Sequence, residues 1–176
     1  MRDWWHKSTP DTIEVIPWMH PAAVAYLDTL LRPTDIVIEH GSGGSTLWLA
    51  ERVMHVHSIE DKLPWYQSMS TRIPHNVTLY LRQDGSMPDC LPLGDVVIVD
   101  GEPVASRAVW LTNIFQVIKP GGIVVLDNSN RPDVRIARDW LNWQALMRAV
   151  IDVRCPNANY PITDFYRMPG GEVTWI

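Results

Sequence analysis

Apolar residues along this chain gather in short runs that lack the in–out alternation of a strand wet on one face. Such runs fall at 36–39 (IVIE), 56–60 (VHSIE), 76–82 (NVTLYLR), 95–100 (DVVIVD) and 122–127 (GIVVLD), and they predict strands buried on both faces. Helix-like blocks separate them, starting at Ser45 (STLWLAERV), Leu63 (LPWYQSMSTR), Ala105 (ASRAVWLTNIFQVI) and Asp133 (DVRIARDWLNWQALM). Pro64 falls in the first turn of its helix, where the missing N–H costs nothing. A further helix from Pro21 (PAAVAYLDTLL) precedes the first strand. Strand–helix alternation with buried strands predicts a doubly wound α/β fold around a mostly parallel, seven-stranded sheet. The last two runs, 149–155 and 163–168, have no helix between them, so an antiparallel C-terminal strand is expected. A length of 176 residues suits one domain, 1–176, with residues 1–34 as an N-terminal segment and helix over the substrate side.

In such a sheet ligands bind beyond the carboxyl ends of the strands, near the switch in strand order. Five successive strands end at or just past an acid: Glu39, Glu60, Asp84, Asp100 and Asp127. One such acid is an ordinary cap or turn residue. Five on one rim make an acidic mouth suited to hydroxyl-rich, cationic or metal-bearing ligands.

The first strand runs into a glycine-rich turn, GSGGST at 41–46. Gly41 and Gly43 allow a tight turn and close approach of a ligand, and Ser45 and Thr46 can cap the following helix. Glu60 comes twenty-one residues after Glu39, where a carboxylate can accept both hydroxyls of a ribose. A dinucleotide fingerprint would place a small residue at position 46, which is threonine, and Glu39 directly before the loop repels a pyrophosphate. S-adenosylmethionine, cationic and free of phosphate, suits the loop better. The alternatives are an NAD(P)- or nucleotide-sugar-binding protein on the same fold, or a member without catalysis.

The stretches IEHGSGGSTLWLA, VHSIEDK, LRQDG, DVVIVDG and IKPGGIVVLDN resemble the successive motifs of class I S-adenosylmethionine-dependent methyltransferases, with the Rossmann-like fold that family implies. The resemblance spans about Asp35 to Asn128. It implies cofactor contacts from Glu39, Gly41, Ser42, Gly43, Ser45, Glu60, Asp61, Asp84, Gly85 and Asp100. Glu39 and the loop would hold the amino-acid end, Glu60 the ribose, and Asp84 the adenine amino group. The segment GSMPDCLPLG is broken by prolines, so a loop stands where the family has a helix between its third and fourth strands. VDG at 99–101 and LDN at 126–128 also resemble the metal-binding positions of the catechol and caffeoyl-CoA O-methyltransferase branch. Carried over, the magnesium ligands would be Asp100, Asp127 and Asn128, an all-oxygen set. The other reading is that Asp100 touches cofactor or substrate and Asp127–Asn128 form a turn. The lysine this branch carries three residues after its first aspartate is Pro103 here.

Methyl transfer needs positioning above all, and a base only where the nucleophile starts protonated. Asp100 and Glu102 are the catalytic candidates, with His6 and His20 as other bases; His40, inside the loop, reads as structural. Arg131, Arg135 and Arg138 follow the fifth strand and would suit an anionic substrate if they shared a helix face. Trp4, Trp5 and Trp18 lie outside the strand–helix repeat and are candidates for an aromatic pocket wall.

Composition narrows the partners. A net charge of -5 argues against a protein that grips DNA or RNA through phosphates. The site after the fourth strand reads DGEP, unlike the Asn/Asp-Pro-Pro-aromatic tetrapeptide of amino-methylating DNA enzymes. No apolar run approaches a membrane span or a signal peptide. Cys90 and Cys155 have no metal-type spacing and suit a reducing compartment. The expectation is a soluble cytoplasmic enzyme acting on a small molecule, with an oxygen acceptor favoured and room for a homodimer.

Overall fold

The computed structural model describes residues 9–102, 104–145, 147–152 and 162–170. All seven apolar runs become strands: β1 (Ile36–His40), β2 (His55–Glu60), β3 (Val77–Leu81), β4 (Gly94–Val99), β5 (Ile118–Leu126), β6 (Met147–Asp152) and β7 (Ile162–Arg167). They form one sheet in the order β3-β2-β1-β4-β5-β7-β6. β1, β2, β3, β4 and β5 pair in parallel, and β7 runs antiparallel to both neighbours. The two final strands pair with each other as expected, but β7 inserts between β5 and β6. That position buries two adjacent aromatics on opposite faces: Phe165 meets Tyr26 edge-on at 4.9 Å, and Tyr166 joins the core of the other side.

Five helices cover the sheet: α1 (Pro21–Leu30), α2 (Gly44–Ala50), α3 (Leu63–Ser70), α4 (Val104–Thr112) and α5 (Arg135–Gln144). Ala23, Leu27, Trp48 and Leu49 of α1 and α2 pack on Val37, Val56, Val96, Ile98 and Val125. Trp110, Leu111, Ala137 and Leu141 of α4 and α5 pack on Ile38, Val97, Val99, Val124 and Leu126. Neighbouring strand residues thus serve opposite cores, which is why the strands show no polar alternation.

Some boundaries differ from expectation. α4 stops at Thr112, and a 3₁₀ turn (Ile114–Gln116) completes the block. The helix expected from Asp133 starts with a 3₁₀ turn at Pro132–Val134 and becomes α-helical only at Arg135. The KPGG segment lies within β5, where the pairing with β4 shifts register between Gly94 and Val96. Between β3 and β4 the chain is a loop, as its prolines dictate, and Met87 and Leu91 pack there against the α4-side core. Among the described residues no helix is long and apolar enough to cross a membrane.

The chain passes outward from β1 to β2 and β3, then returns to place β4 on the other side of β1. The reversal leaves a crevice beyond the carboxyl ends of β1 and β4, and the site lies there.

Candidate functional site

The glycine turn is held by close packing of backbone on backbone. Gly41 has φ +99, and a Cβ there would lie 2.9 Å from Gly101 Cα, so the turns after β1 and β4 touch without side chains. Gly101 in turn presses on His40: a Cβ there would lie 2.6 Å from the imidazole Nε2. The His40 ring stacks on Trp110 at 4.8 Å and its Nε2 pairs with Ser106 Oγ at 3.1 Å. Burial first, and Arg107 second, hold its pKa down to about 3, so this imidazole is neutral and structural, in line with the sequence reading.

Glu39 lies behind the loop. It is 1% exposed, and its carboxylate accepts hydrogen bonds from Ser45 Oγ, Thr46 Oγ1 (2.5 Å) and Ser58 Oγ (2.8 Å). Thr46 Oγ1 also accepts from Gly43 N at 2.9 Å. Burial pushes the Glu39 carboxyl up to about 7 against the pull of the three hydroxyls. The residue braces the start of α2; it does not line the cleft. Threonine at position 46, unusual for a dinucleotide loop, is the buried post that joins this brace to the helix.

The cleft, about 240 Å³, is lined by the loop residues 41–45, by Glu60 and Asp61 after β2, by 100–102 after β4 and by Asp127 and Asn128 after β5. Trp18 and Trp65 form its aromatic wall, ring to ring at 6.4 Å and nearly perpendicular. Glu60 Oε2 accepts from Ser42 N (2.9 Å) and Ser42 Oγ (2.7 Å), and Oε1 accepts from Lys62 N (2.8 Å). Burial, then the adjacent Glu60, raise Asp61 to about 6. The segment before α1 straps across the loop. A Cβ on Gly44 would lie 2.0 Å from the Glu14 carbonyl oxygen and 2.6 Å from that of Ile16. The strap is tied to α3 by Ser68 Oγ and to the turn after it by Arg72 Nη1 (2.9 Å), both donating to the Pro10 carbonyl.

One residue that sequence reasoning missed is Arg107. It reaches from α4 to the carboxyl ends of β4 and β5 and is 2% exposed. Nε donates to Gly101 O (2.7 Å). Nη2 donates to Asp100 O (2.6 Å) and Oδ1 (3.1 Å), and Nη1 to Asp127 O (2.8 Å) and Asn128 Oδ1 (3.5 Å). A signal was present: Arg107, Trp110, Leu111 and Ile114 repeat at helical spacing, which puts an arginine in an apolar stripe. Trp65 was also missed.

The magnesium expectation for Asp100, Asp127 and Asn128 finds no support in this arrangement, because the Arg107 guanidinium engages oxygens of all three. The three residues do meet, but around a resident cation that already engages oxygens from each. Asp127 Oδ1 also accepts from Thr163 Oγ1 at 2.5 Å. Asn128 takes φ 49 and its carbonyl accepts Arg131 N at 3.0 Å, so Asp127–Asn128 open a turn, the other reading of the pair. Burial raises both aspartates: Asp127 to about 8, with Asp100 adding to it, and Asp100 against the opposing pull of Arg107.

Other expected residues fall elsewhere. Asp84 lies outside the cleft in a separate groove, accepting from Ser86 Oγ (2.8 Å) and N (3.1 Å), which hold its carboxyl below the usual range. Gly85 is a turn residue with φ +70, closed against Ser106 Cβ, and its carbonyl accepts Trp110 Nε1 at 3.0 Å. Both residues sit in the turn after β3, where Gly85 N donates to Arg82 O at 2.8 Å. His20 caps α1, its Nδ1 accepting Ala22 N at 3.1 Å. The three arginines do not share a face, because α5 starts too late. Arg131 pairs with Glu102 (3.5 Å) and Asp133 (3.6 Å), Arg138 donates to Ser129 O (3.0 Å), and Arg135 is exposed. Trp4, Trp5, His6, Pro103 and Cys155 lie outside the described residues.

No family model matches the chain, and no curated protein matches it. Solved structures do. A SAM-dependent O-methyltransferase (TM0748) from Thermotoga maritima superposes with TM-score 0.69 at 14% identity, over 89% of this chain and 68% of that one. The N-methyltransferase NodS from Bradyrhizobium japonicum gives 0.63 at 12%, over 85% and 94%. The tRNA m1G37 methyltransferase of M. jannaschii gives 0.57 at 9%, over 85% of this chain but 49% of that one, so this chain spans about half its length. This is the class I methyltransferase fold. The methyltransferases that share it act, by their names, on oxygen, on nitrogen and on tRNA, so the fold leaves the acceptor open.

Proposed function

We propose that this protein is an S-adenosylmethionine-dependent methyltransferase acting on a small-molecule acceptor, with oxygen as the favoured acceptor atom. The carrying observation is the charge of the cleft. Glu60, Asp61, Asp100 and Glu102 line it, with Asp127 held mostly neutral by burial, while the guanidinium of Arg107 is occupied by backbone and side-chain oxygens at the ends of β4 and β5. Such a mouth suits a cationic ligand without phosphate. A pyrophosphate is disfavoured, because carbonyl oxygens of Glu14 and Ile16 crowd Gly44 at the first turn of α2.

Ser42, Ser45, Glu60, Asp61 and Asp100 are the polar residues that would hold the cofactor. When bound, it supplies an electrophilic methyl group on a sulfonium. The chain's own contribution is orientation and exclusion of water. Trp18 and Trp65 supply an apolar wall, and the Glu102–Arg131 pair stands at the mouth. The Glu102 side chain is 42% exposed and is the carboxylate best placed to accept the proton of an acceptor hydroxyl.

Calorimetric titration tests the reading, with S-adenosylmethionine and S-adenosylhomocysteine as ligands, NADH as comparison and Glu60→Ala as control. Micromolar binding of both, absent for NADH and lost in the variant, is expected. A folded wild-type protein that binds neither would sink the proposal.

A further inference from the structure

We infer that Arg107 takes the seat that a divalent cation would need, so the acceptor side of this cleft runs on a built-in guanidinium and no bound metal. The functional consequence rests on the methyltransferase reading; the exclusion of metal does not.

The argument is one of occupancy and charge. A hard cation at the ends of β4 and β5 would draw on oxygens of Asp100, Asp127 and Asn128. The Arg107 fork already takes one Asp100 carboxylate oxygen at 3.1 Å and the Asn128 amide oxygen at 3.5 Å. It also takes the backbone oxygens of Asp100, Gly101 and Asp127 at 2.6–2.8 Å. Its five N–H groups face five oxygens, two of them on the side chains of Asp100 and Asn128, while the Asp127 carboxylate is engaged instead by Thr163 Oγ1. The side chain cannot swing out. It is 2% exposed and leaves α4 on the face that buries Trp110 and Leu111, both 0% exposed. An ion entering beside it would lose ligands and meet a fixed like charge in a poorly solvated site.

The same contacts assign Arg107 a positioning role. It ties the backbone of Asp100–Gly101 to that of Asp127 and so sets the two strand ends that flank the acceptor side. It holds the Asp100 carboxylate and the Asn128 amide in place, and Glu102 lies 3.9 Å from its Nη2. A metal would perform this task as an exchangeable ligand; the arginine performs it as part of the chain.

Manganese, read by the loss of its free-ion electron paramagnetic resonance signal, is the probe. The full-length wild type is expected to leave the signal intact up to about 1 mM, the weak end of protein cation sites. Arg107→Gln, which removes the charge and keeps much of the volume, is expected to bind manganese about tenfold or more tightly than wild type. Asp100→Asn in that background should abolish the gain, and Arg107→Lys, which keeps the charge, should behave as wild type. A merely structural arginine would create no metal affinity when removed. Wild-type binding below about 1 mM that disappears in Asp100→Asn overturns the inference, as does a folded Arg107→Gln with no gain. Should Arg107→Gln fail to fold, the wild-type and Arg107→Lys titrations decide it. S-adenosylhomocysteine titration with and without EDTA separates the two readings. Equal affinity in both is expected; absence of binding in both removes the methyltransferase reading and leaves the manganese result standing.

Discussion

Glu39→Gln tests the claim that this acid braces the glycine loop. In the folded chain burial lifts the carboxyl from 4.5 to about 7. The folded state therefore holds a proton in a range where the unfolded chain has lost it. Stability must fall as pH rises through that window, because the folded state binds more protons there. A difference of about 2.5 pH units, at about 1.4 kcal/mol each, amounts to roughly 3 kcal/mol of destabilisation from the charged carboxylate above pH 7. Below the unfolded value the acid is neutral in both states and this cost is absent. Glutamine carries no charge at any of these pH values. It also donates where Glu39 accepts, so one of the three hydroxyls must turn, at about 1 kcal/mol. The variant should be slightly less stable than wild type at pH 4.5 and more stable at pH 8, the difference moving by about 3 kcal/mol. Urea unfolding followed by tryptophan fluorescence measures both curves. Only the difference is diagnostic, because His40 (held down to about 3) and Asp127 (raised to about 8) titrate with their own signs. A difference flat across the range would refute the burial argument. Cofactor affinity gives a second readout: a brace leaves S-adenosylhomocysteine binding within a few-fold, whereas direct contact with its ammonium would cost more than about tenfold.

Gly101→Ala is expected to destabilise by about 1–3 kcal/mol in urea unfolding, because its methyl would sit 2.6 Å from a His40 ring already stacked on Trp110; unchanged stability would refute that packing. Asp84→Ala is expected to leave S-adenosylhomocysteine affinity within about a factor of two, since Asp84 lies outside the cleft and bonds to Ser86. A larger loss by calorimetry would restore the adenine role that the sequence resemblance implies.

Hydrophobic patterning alone was enough for the architecture. Short apolar-rich runs such as IVIE, DVVIVD and GIVVLD pointed to a sheet buried on both faces, and the helix-free gap before the last run required an antiparallel partner. The glycine turn and the acids that follow β1, β2, β4 and β5 were legible because strand ends in this topology converge on one crevice. Tertiary structure decided where each acid lies and what it bonds to. Glu39 and Glu60 are alike in sequence, each closing a strand, yet the first turns behind the loop onto three hydroxyls and the second lines the cleft. Asp84 fits the pattern by spacing and misses the mouth, because it lies in the turn closed by Gly85 N on Arg82 O and bonds to Ser86. Arg107 lies outside every motif. Its neighbour Ser106 pairs with the ring of His40, a residue far back in the chain at the end of β1. A linear pattern records which residues share a strand end or a helix face. It does not record that a guanidinium from one helix reaches the ends of two strands and engages oxygens of Asp100, Asp127 and Asn128 there.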